Sequence, residues 1–221
     1  CIGCGACISV CAHGARRGLD DFVPFMDALK NGEKIIAIVA PAAAANFRGK
    51  DLELNGFLKS LGVKAVFDVS FGAELTTKSY IEEIKRKNPR LMISQPCPAL
   101  VSYIELYQSD LLPYLAVSDS PMAHTFAMIR RFYPQYKEYK MAAISPCFAK
   151  RREFDENGLG DYNVSMKSIS DYLEANNISL SKYPKVAYDN PPAERAVLYS
   201  TPGGLMRTAE RFIPGISKKI R

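Results

Sequence analysis

No stretch of eighteen or more apolar residues occurs in this 221-residue chain, so no membrane-spanning helix is expected. No secretory leader opens the sequence either. It begins on Cys1 without an initiating Met, from which we expect that an upstream segment has been removed. Basic residues never form a long stripe or alternate with aromatics. Arg16-Arg17, Lys150-Arg151-Arg152 and residues 218–221 are short clusters, which read as solvated surface and not as a nucleic-acid site. There is no internal repeat and no low-complexity linker. Histidine is limited to His13 and His124; the first reads as surface beside a cysteine loop, the second as a structural helix residue. Cysteine is confined to six positions.

Hydrophobic residues make up 48% and charged residues 24%, ordinary values for a globular domain. The length suits one large α/β domain with a small appendage. The net charge of +6 comes from 29 basic and 23 acidic residues. Cys1, Cys4, Cys7 and Cys11 follow C-x2-C-x2-C-x3-C, the spacing by which a tight loop wraps thiolates around a cubane iron–sulfur cluster. Zinc is a weaker reading, since structural zinc takes two ligand pairs separated by a longer loop. A disulfide scaffold is weaker still, because a domain this large buries its own core. Thiols spaced to bind metal point to a reducing compartment and a cytoplasmic location. We expect a ferredoxin-type 4Fe–4S motif over residues 1–18 and a second domain over 19–221.

Apolar periodicity predicts a helix over 20–31, closed by Asn31-Gly32, and another through Leu52, Leu54, Phe57, Leu58 and Leu61, stopped at Gly62. Further helices are expected over 74–87, 99–109, 121–132 and 205–212, and one over 169–176 with Ser168 as its cap. Short apolar runs predict strands over 34–40, 65–69, 91–94 and 140–145, with weaker candidates at 162–166 and 196–199. Strands alternating with helices imply a mostly parallel sheet of four or more strands flanked by helices. Ligands in such sheets bind off the carboxyl ends of the strands. Three expected strands end there in proline: Ala40-Pro41-Ala42, Gln95-Pro96-Cys97 and Ser145-Pro146-Cys147. Cys97 and Cys147 would therefore approach one another as metal ligands, although a lone cysteine often merely fills a core.

The order Cys97-Pro98, then Ser145-Pro146-Cys147-Phe148-Ala149-Lys150-Arg151-Arg152-Glu153, resembles the catalytic domain of iron-only (FeFe) hydrogenases. Ala40-Pro41-Ala42, Val66-Phe67-Asp68, Phe71-Gly72-Ala73-Glu74-Leu75-Thr76 and Thr201-Pro202-Gly203-Gly204-Leu205-Met206 fit the same family in order. The resemblance implies that fold, and a cubane bonded to a two-iron subsite carrying CO and cyanide. It makes Cys97 and Cys147 two of the four cubane ligands. Lys150 would donate to a cyanide, which suits an ammonium facing an anion. Pro41 and Ala42 would line the other cyanide, and Glu153 closes the motif. Without the resemblance, Lys150 and Glu153 would read as a surface ion pair.

Departures from the family pattern matter equally. Family enzymes carry a proton-relaying cysteine where this chain has Pro96, which offers neither thiol nor N–H. Tyr80 stands where the first of two glutamates is expected, and Glu83 keeps the second. The third ligand motif, with two cysteines, has no counterpart before Arg221. Either Cys11 closes a cluster locally or it serves one whose other ligands lie upstream. The chain reads as part of a longer protein, a divergent or sensory family member with a signalling domain further along. A ferredoxin or other electron carrier is the expected partner. The alternatives are a working ferredoxin-linked hydrogenase and a non-catalytic iron–sulfur assembly scaffold.

Overall fold

The computed structural model describes residues 1–218, so most of the basic 218–221 cluster lies outside the described residues. In chain order the elements are α1 (Ala6–Ser9), α2 (Phe22–Lys30), β1 (Ile35–Val39), α3 (Ala43–Asn46), α4 (Asp51–Ser60), β2 (Val66–Asp68), α5 (Val69–Lys87), α6 (Pro98–Tyr107), α7 (Pro121–Phe132), β3 (Lys140–Ser145), α8 (Lys150–Asn157), β4 (Tyr162–Ser165), α9 (Met166–Ala175) and α10 (Gly204–Phe212), with 3-10 turns between some of them. The four strands form one parallel sheet in the order β2-β1-β3-β4. All five residues of β1 are buried. That burial is why β1 is a continuous apolar run and not an alternating one. Phe25, Phe57, Phe67 and Phe126 fill the space between the sheet and its helices.

The chain leaves β1 for β2 on one side and returns to β3 on the other. The crevice at the carboxyl ends of β1 and β3 is therefore a topological switch point. Val39 lies opposite Ile144, and Ala40 donates its N–H to the Ile144 carbonyl at 2.9 Å. Pro41 and Pro146 thus emerge side by side.

Both sheet edges are sealed by side chains that imitate a strand. At β4, Asp21 accepts from Asn163 N at 2.7 Å and Asp20 from Ser165 N at 2.9 Å. At β2, Asp189 accepts from Val66 N and Asn190 from Asp68 N, each at 2.7 Å. These bonds satisfy edge donors that would otherwise pair with another chain.

Several expected elements come out differently. Residues 91–94 are not a strand of the sheet; Ile93 makes an isolated bridge to Leu115. Leu91 is half exposed, and Pro89, Pro96 and Pro98 withhold donors around it. Residues 196–199 hold a 3-10 turn over Ala196–Leu198, because the N–H groups of Glu194, Arg195 and Ala196 all turn to the Glu74 carboxylate at 2.7, 2.9 and 3.4 Å. Helix α5 starts five residues before the expected Glu74, since Asp68 accepts from Ser70 N at 2.7 Å and caps it there. Ser165 caps α9, not Ser168, accepting from Ser168 N at 3.0 Å. Residues 1–18 hold a single helical turn, α1, among loops.

Glu74 also pairs with Arg211 of α10 at 3.0 Å, so one buried carboxylate ties the 194–212 stretch to α5. Replacing Glu74 by Ala should lower unfolding free energy by about 2–3 kcal/mol in urea titrations, and Glu74→Gln by less. A loss under ~0.5 kcal/mol for the Ala variant would mean that apolar contacts alone hold the stretch.

Candidate functional site

Four segments converge on the switch-point crevice. The first is the half-buried Pro41-Ala42 turn after β1. The second is the loop after β3, where Cys147 N donates to Ser145 Oγ at 3.2 Å. Asn163 of β4 braces it by donating to the Cys147 and Phe148 carbonyls at 3.2 and 3.3 Å. The third is the Gln95-Pro96-Cys97 loop, whose Gln95 N donates to the Tyr80 hydroxyl at 3.3 Å and whose Gln95 side chain donates to the Ser118 carbonyl. The fourth is the Ser118–Ser120 approach to α7.

Lys150 stitches these together. Its side chain is only 7% exposed, and its ammonium donates to the Pro96 carbonyl at 3.0 Å and pairs with Glu153. Glu153 in turn accepts from Ser120 Oγ, which accepts from Ala123 N at 3.2 Å to cap α7. The surface-pair alternative for Lys150 and Glu153 is therefore overturned: Lys150 is buried, Glu153 is partly so, and the pair bridges three loops. Cys97 and Cys147 are brought to neighbouring loops even though no strand precedes Cys97. Cys97 is the N-cap of α6, with Pro98 at its first position. Cys147 lies just before α8. Cys97 is exposed and Cys147 partly so.

Cys1, Cys4 and Cys7 are exposed, and Cys11 is partly buried. The cysteine loop is docked on the Cys147 loop through glycines. Gly3 lies at φ 70° with space for a Cβ only 3.1 Å from the Ala149 Cβ, and a Cβ on Gly18 would meet the Phe148 ring at 2.3 Å. The Cys11 thiol is held below its usual range by the backbone N–H groups of Ala15 and His13, with those of Arg16 and Gly14 adding to them. Amide donors of this kind also stabilise cluster-bound sulfur. The loop's four thiols and amides therefore suit a 4Fe–4S cluster. Cys97 and Cys147 stand on the two neighbouring loops that Lys150 joins. Among the described residues no three His, Cys, Asp or Glu side chains converge closely enough for a single metal ion. A cubane spreads its thiolates around four irons and makes no such demand.

Tyr80 and Glu83, on α5, are both buried. Burial pushes the Tyr80 phenol up. Glu83 accepts from Val117 N at 3.2 Å and from Lys87 at 2.8 Å. A cavity of about 210 Å³ beside Gln95, Ser118, Ser120 and Glu153 adjoins this network. His124 contacts Thr76 and Ser79 hydroxyls at 3.3 and 3.2 Å, in keeping with a structural role; His13 is exposed. Sequence reasoning passed over Ser120 and Asn163. The Ser120-Pro121 pair, a helix-start signature, could have flagged the first. The second had no local signal.

Removing one partner of the Lys150–Glu153 pair should strand the other charge. We expect Lys150→Ala and Glu153→Ala each to lose about 3 kcal/mol in urea unfolding, and the double variant to lose clearly less than their sum. Additive losses would contradict a coupled pair.

Residues 33–219 match the family model described as iron only hydrogenase large subunit, C-terminal domain. The NADP-reducing hydrogenase subunit HndD of Solidesulfovibrio fructosivorans is 24% identical, over 96% of this chain and 42% of its own length. The cytosolic Fe-S cluster assembly factor NAR1 of Yarrowia lipolytica is 24% identical, over 69% of this chain and 35% of its own. A variant of [FeFe]-hydrogenase HydA1 from Chlamydomonas reinhardtii superposes with a TM-score of 0.71 at 23% identity, covering 87% of this chain and 58% of that one. The chain spans about two fifths of the length of the curated relatives it matches. No helix among the described residues is long and apolar enough to cross a membrane.

Proposed function

Because this chain belongs to the iron only hydrogenase family, matching the C-terminal domain of the large subunit, we propose that it is an iron–sulfur redox protein of a divergent, sensory type. The observation that carries the proposal is the Lys150 bond to the Pro96 carbonyl. Lys150, which the resemblance matches to the family's lysine, is buried and bonded to the residue before Cys97, and that residue is a proline where the resemblance implies a relaying thiol.

Each part of the crevice has a task in this reading. Cys1, Cys4, Cys7 and Cys11 hold a 4Fe–4S cluster, which when bound supplies a one-electron couple. Cys97 and Cys147 hold one side of a second cubane. Lys150 places a fixed positive charge at the crevice, where it favours anionic groups. Pro41 and Ala42 close the opposite wall without offering a proton. Pro96 carries no exchangeable proton, and the buried Tyr80 phenol gives its proton up less readily than an ordinary tyrosine. Proton delivery is slow in consequence, which suits a sensor that registers redox state or hydrogen better than an enzyme of high turnover. The electron carrier is a ferredoxin or similar protein, and a signalling domain of the same polypeptide would read the result in the cytoplasm.

The similarity to an assembly factor keeps a second reading in play, a scaffold that carries cubanes without a two-iron subsite. Infrared spectra of protein produced with hydrogenase maturation factors separate the two. Bands of CO and cyanide would exclude the scaffold, and their absence from iron-loaded protein would exclude the sensor. Restoring the relay with Pro96→Cys should raise hydrogen evolution by about a hundredfold, measured by gas chromatography. High turnover of the unaltered protein would refute the sensory assignment. Anaerobic reconstitution should load about four irons on the first loop, a content that Cys4→Ser abolishes and Cys97→Ser leaves in place.

A further inference from the structure

The Lys150-Arg151-Arg152 cluster reads from composition as solvated surface, yet each member ties α8 to a different part of the fold. Lys150 bonds the Pro96 carbonyl, and Arg151 meets Asp21 at 2.6 Å. Arg152 crosses to α6. Its Nη1 meets the Glu105 carboxylate at 2.7 Å and donates to the buried Ser102 hydroxyl, while its Nε meets Glu156 of α8 at 2.7 Å. Ser102 and Glu105 stand three positions apart and so share one face of α6. These two helices carry the crevice cysteines: Cys97 is the N-cap of α6, and Cys147 lies just before α8. Between them opens the cavity of about 210 Å³, walled by Pro98 and Val101 of α6 and by Glu156 and Asn157 of α8. An open cavity supplies no packing contact to fix the spacing of two helices, so the spacing there falls to polar bonds.

We infer that Arg152 is a positioning residue, whose fork across α6 and α8 sets how far Cys97 stands from Cys147. The inference rests on the reading of those two thiols as ligands of one cluster. A ligand pair carried on two separate loops serves only at a set separation. Side chains that orient ligands without touching the metal commonly change affinity by about ten- to a hundredfold. An isolated exposed ion pair is too weak for this work. Arg152 differs, because one planar guanidinium directs fixed donors at Ser102, Glu105 and Glu156 together, and one of these acceptors is buried. Lysine, a point charge without the fork, cannot span them. Lys150 bonds beside Cys97, whereas Arg152 reaches further along α6. Two attachments stop the helix pivoting about either one.

The test treats the whole, iron-free chain with bismaleimidoethane, which links two thiols across a short span, and measures the Cys97–Cys147 crosslink by peptide mass spectrometry. Labelling of each thiol by iodoacetamide is read in parallel. We expect the crosslink in unaltered protein. Arg152→Met should lower its yield about tenfold and Arg152→Lys by less, while iodoacetamide labels both thiols at nearly the original rate. The variant Ser102→Ala/Glu105→Gln cuts the same bridge from α6 and should give the same loss, which decides the matter if Arg152→Met fails to fold. Lys167→Met removes an exposed ion pair with Asp171 on α9 and should change nothing. An unchanged crosslink in the bridge variants would overturn the inference, as would its absence from unaltered protein. Iodoacetamide labelling that rises as the crosslink falls would reduce the effect to general loosening and overturn it equally. Alkylation of iron-loaded protein is read separately. If loading leaves both thiols open, the ligand reading falls and takes the purpose of Arg152 with it, whereas a crosslink indifferent to the bridge sinks only the role of Arg152.

Discussion

Lys150 can be buried only because two acceptors from distant parts of the chain meet its charge. An ammonium out of water needs acceptors and a counter-charge, and here the Pro96 carbonyl and the Glu153 carboxylate supply them. Satisfying that one group draws together the loop carrying Cys97, the start of α8 after Cys147, and, through Ser120, the N-terminus of α7. The crevice geometry follows from this bond set. A carbonyl remains available whatever side chain stands at position 96, so this bond does not depend on the residue type there.

The same accounting of backbone donors shapes the rest of the domain. A four-stranded parallel sheet has two open edges, and here neighbouring polar pairs cover them: Asp20 and Asp21 at β4, Asp189 and Asn190 at β2. Glu74 does the equivalent for three consecutive N–H groups near Ala196. These side chains occupy places that further strands would otherwise fill, and they fasten both ends of the described chain to the sheet. The cysteine loop is thereby anchored close to the switch point. Asp21 holds both β4 and Arg151 of α8, and Gly3 and Gly18 let the loop lie directly on Ala149 and Phe148.

Much of the fold was legible locally. The runs at β1 and β3 are short, continuous and apolar, as strands buried on both faces must be, and helix α7 begins and ends where Ser120-Pro121 and its apolar spacing indicate. Errors arose where a side chain took over backbone donors. Asp68 started α5 early, Ser165 displaced Ser168 as a cap, and Glu74 turned a β-prone segment into a 3-10 turn. The 91–94 segment has the composition of a strand and lacks a partner along its length.

By itself the sequence determined the cysteine spacing, the parallel α/β class and the prolines that flank Cys97 and precede Cys147, because each is written in neighbouring residues and their periodicity. Only the tertiary structure decided that Lys150 is buried with Glu153 as its partner, and that the first cysteine loop rests on the Cys147 loop. It alone shows that Pro41 emerges beside Pro146. Each of these joins residues far apart in the chain, 54 positions in the case of Lys150 and Pro96. Such meetings depend on strand order and on which buried groups must find partners, and no local pattern encodes either.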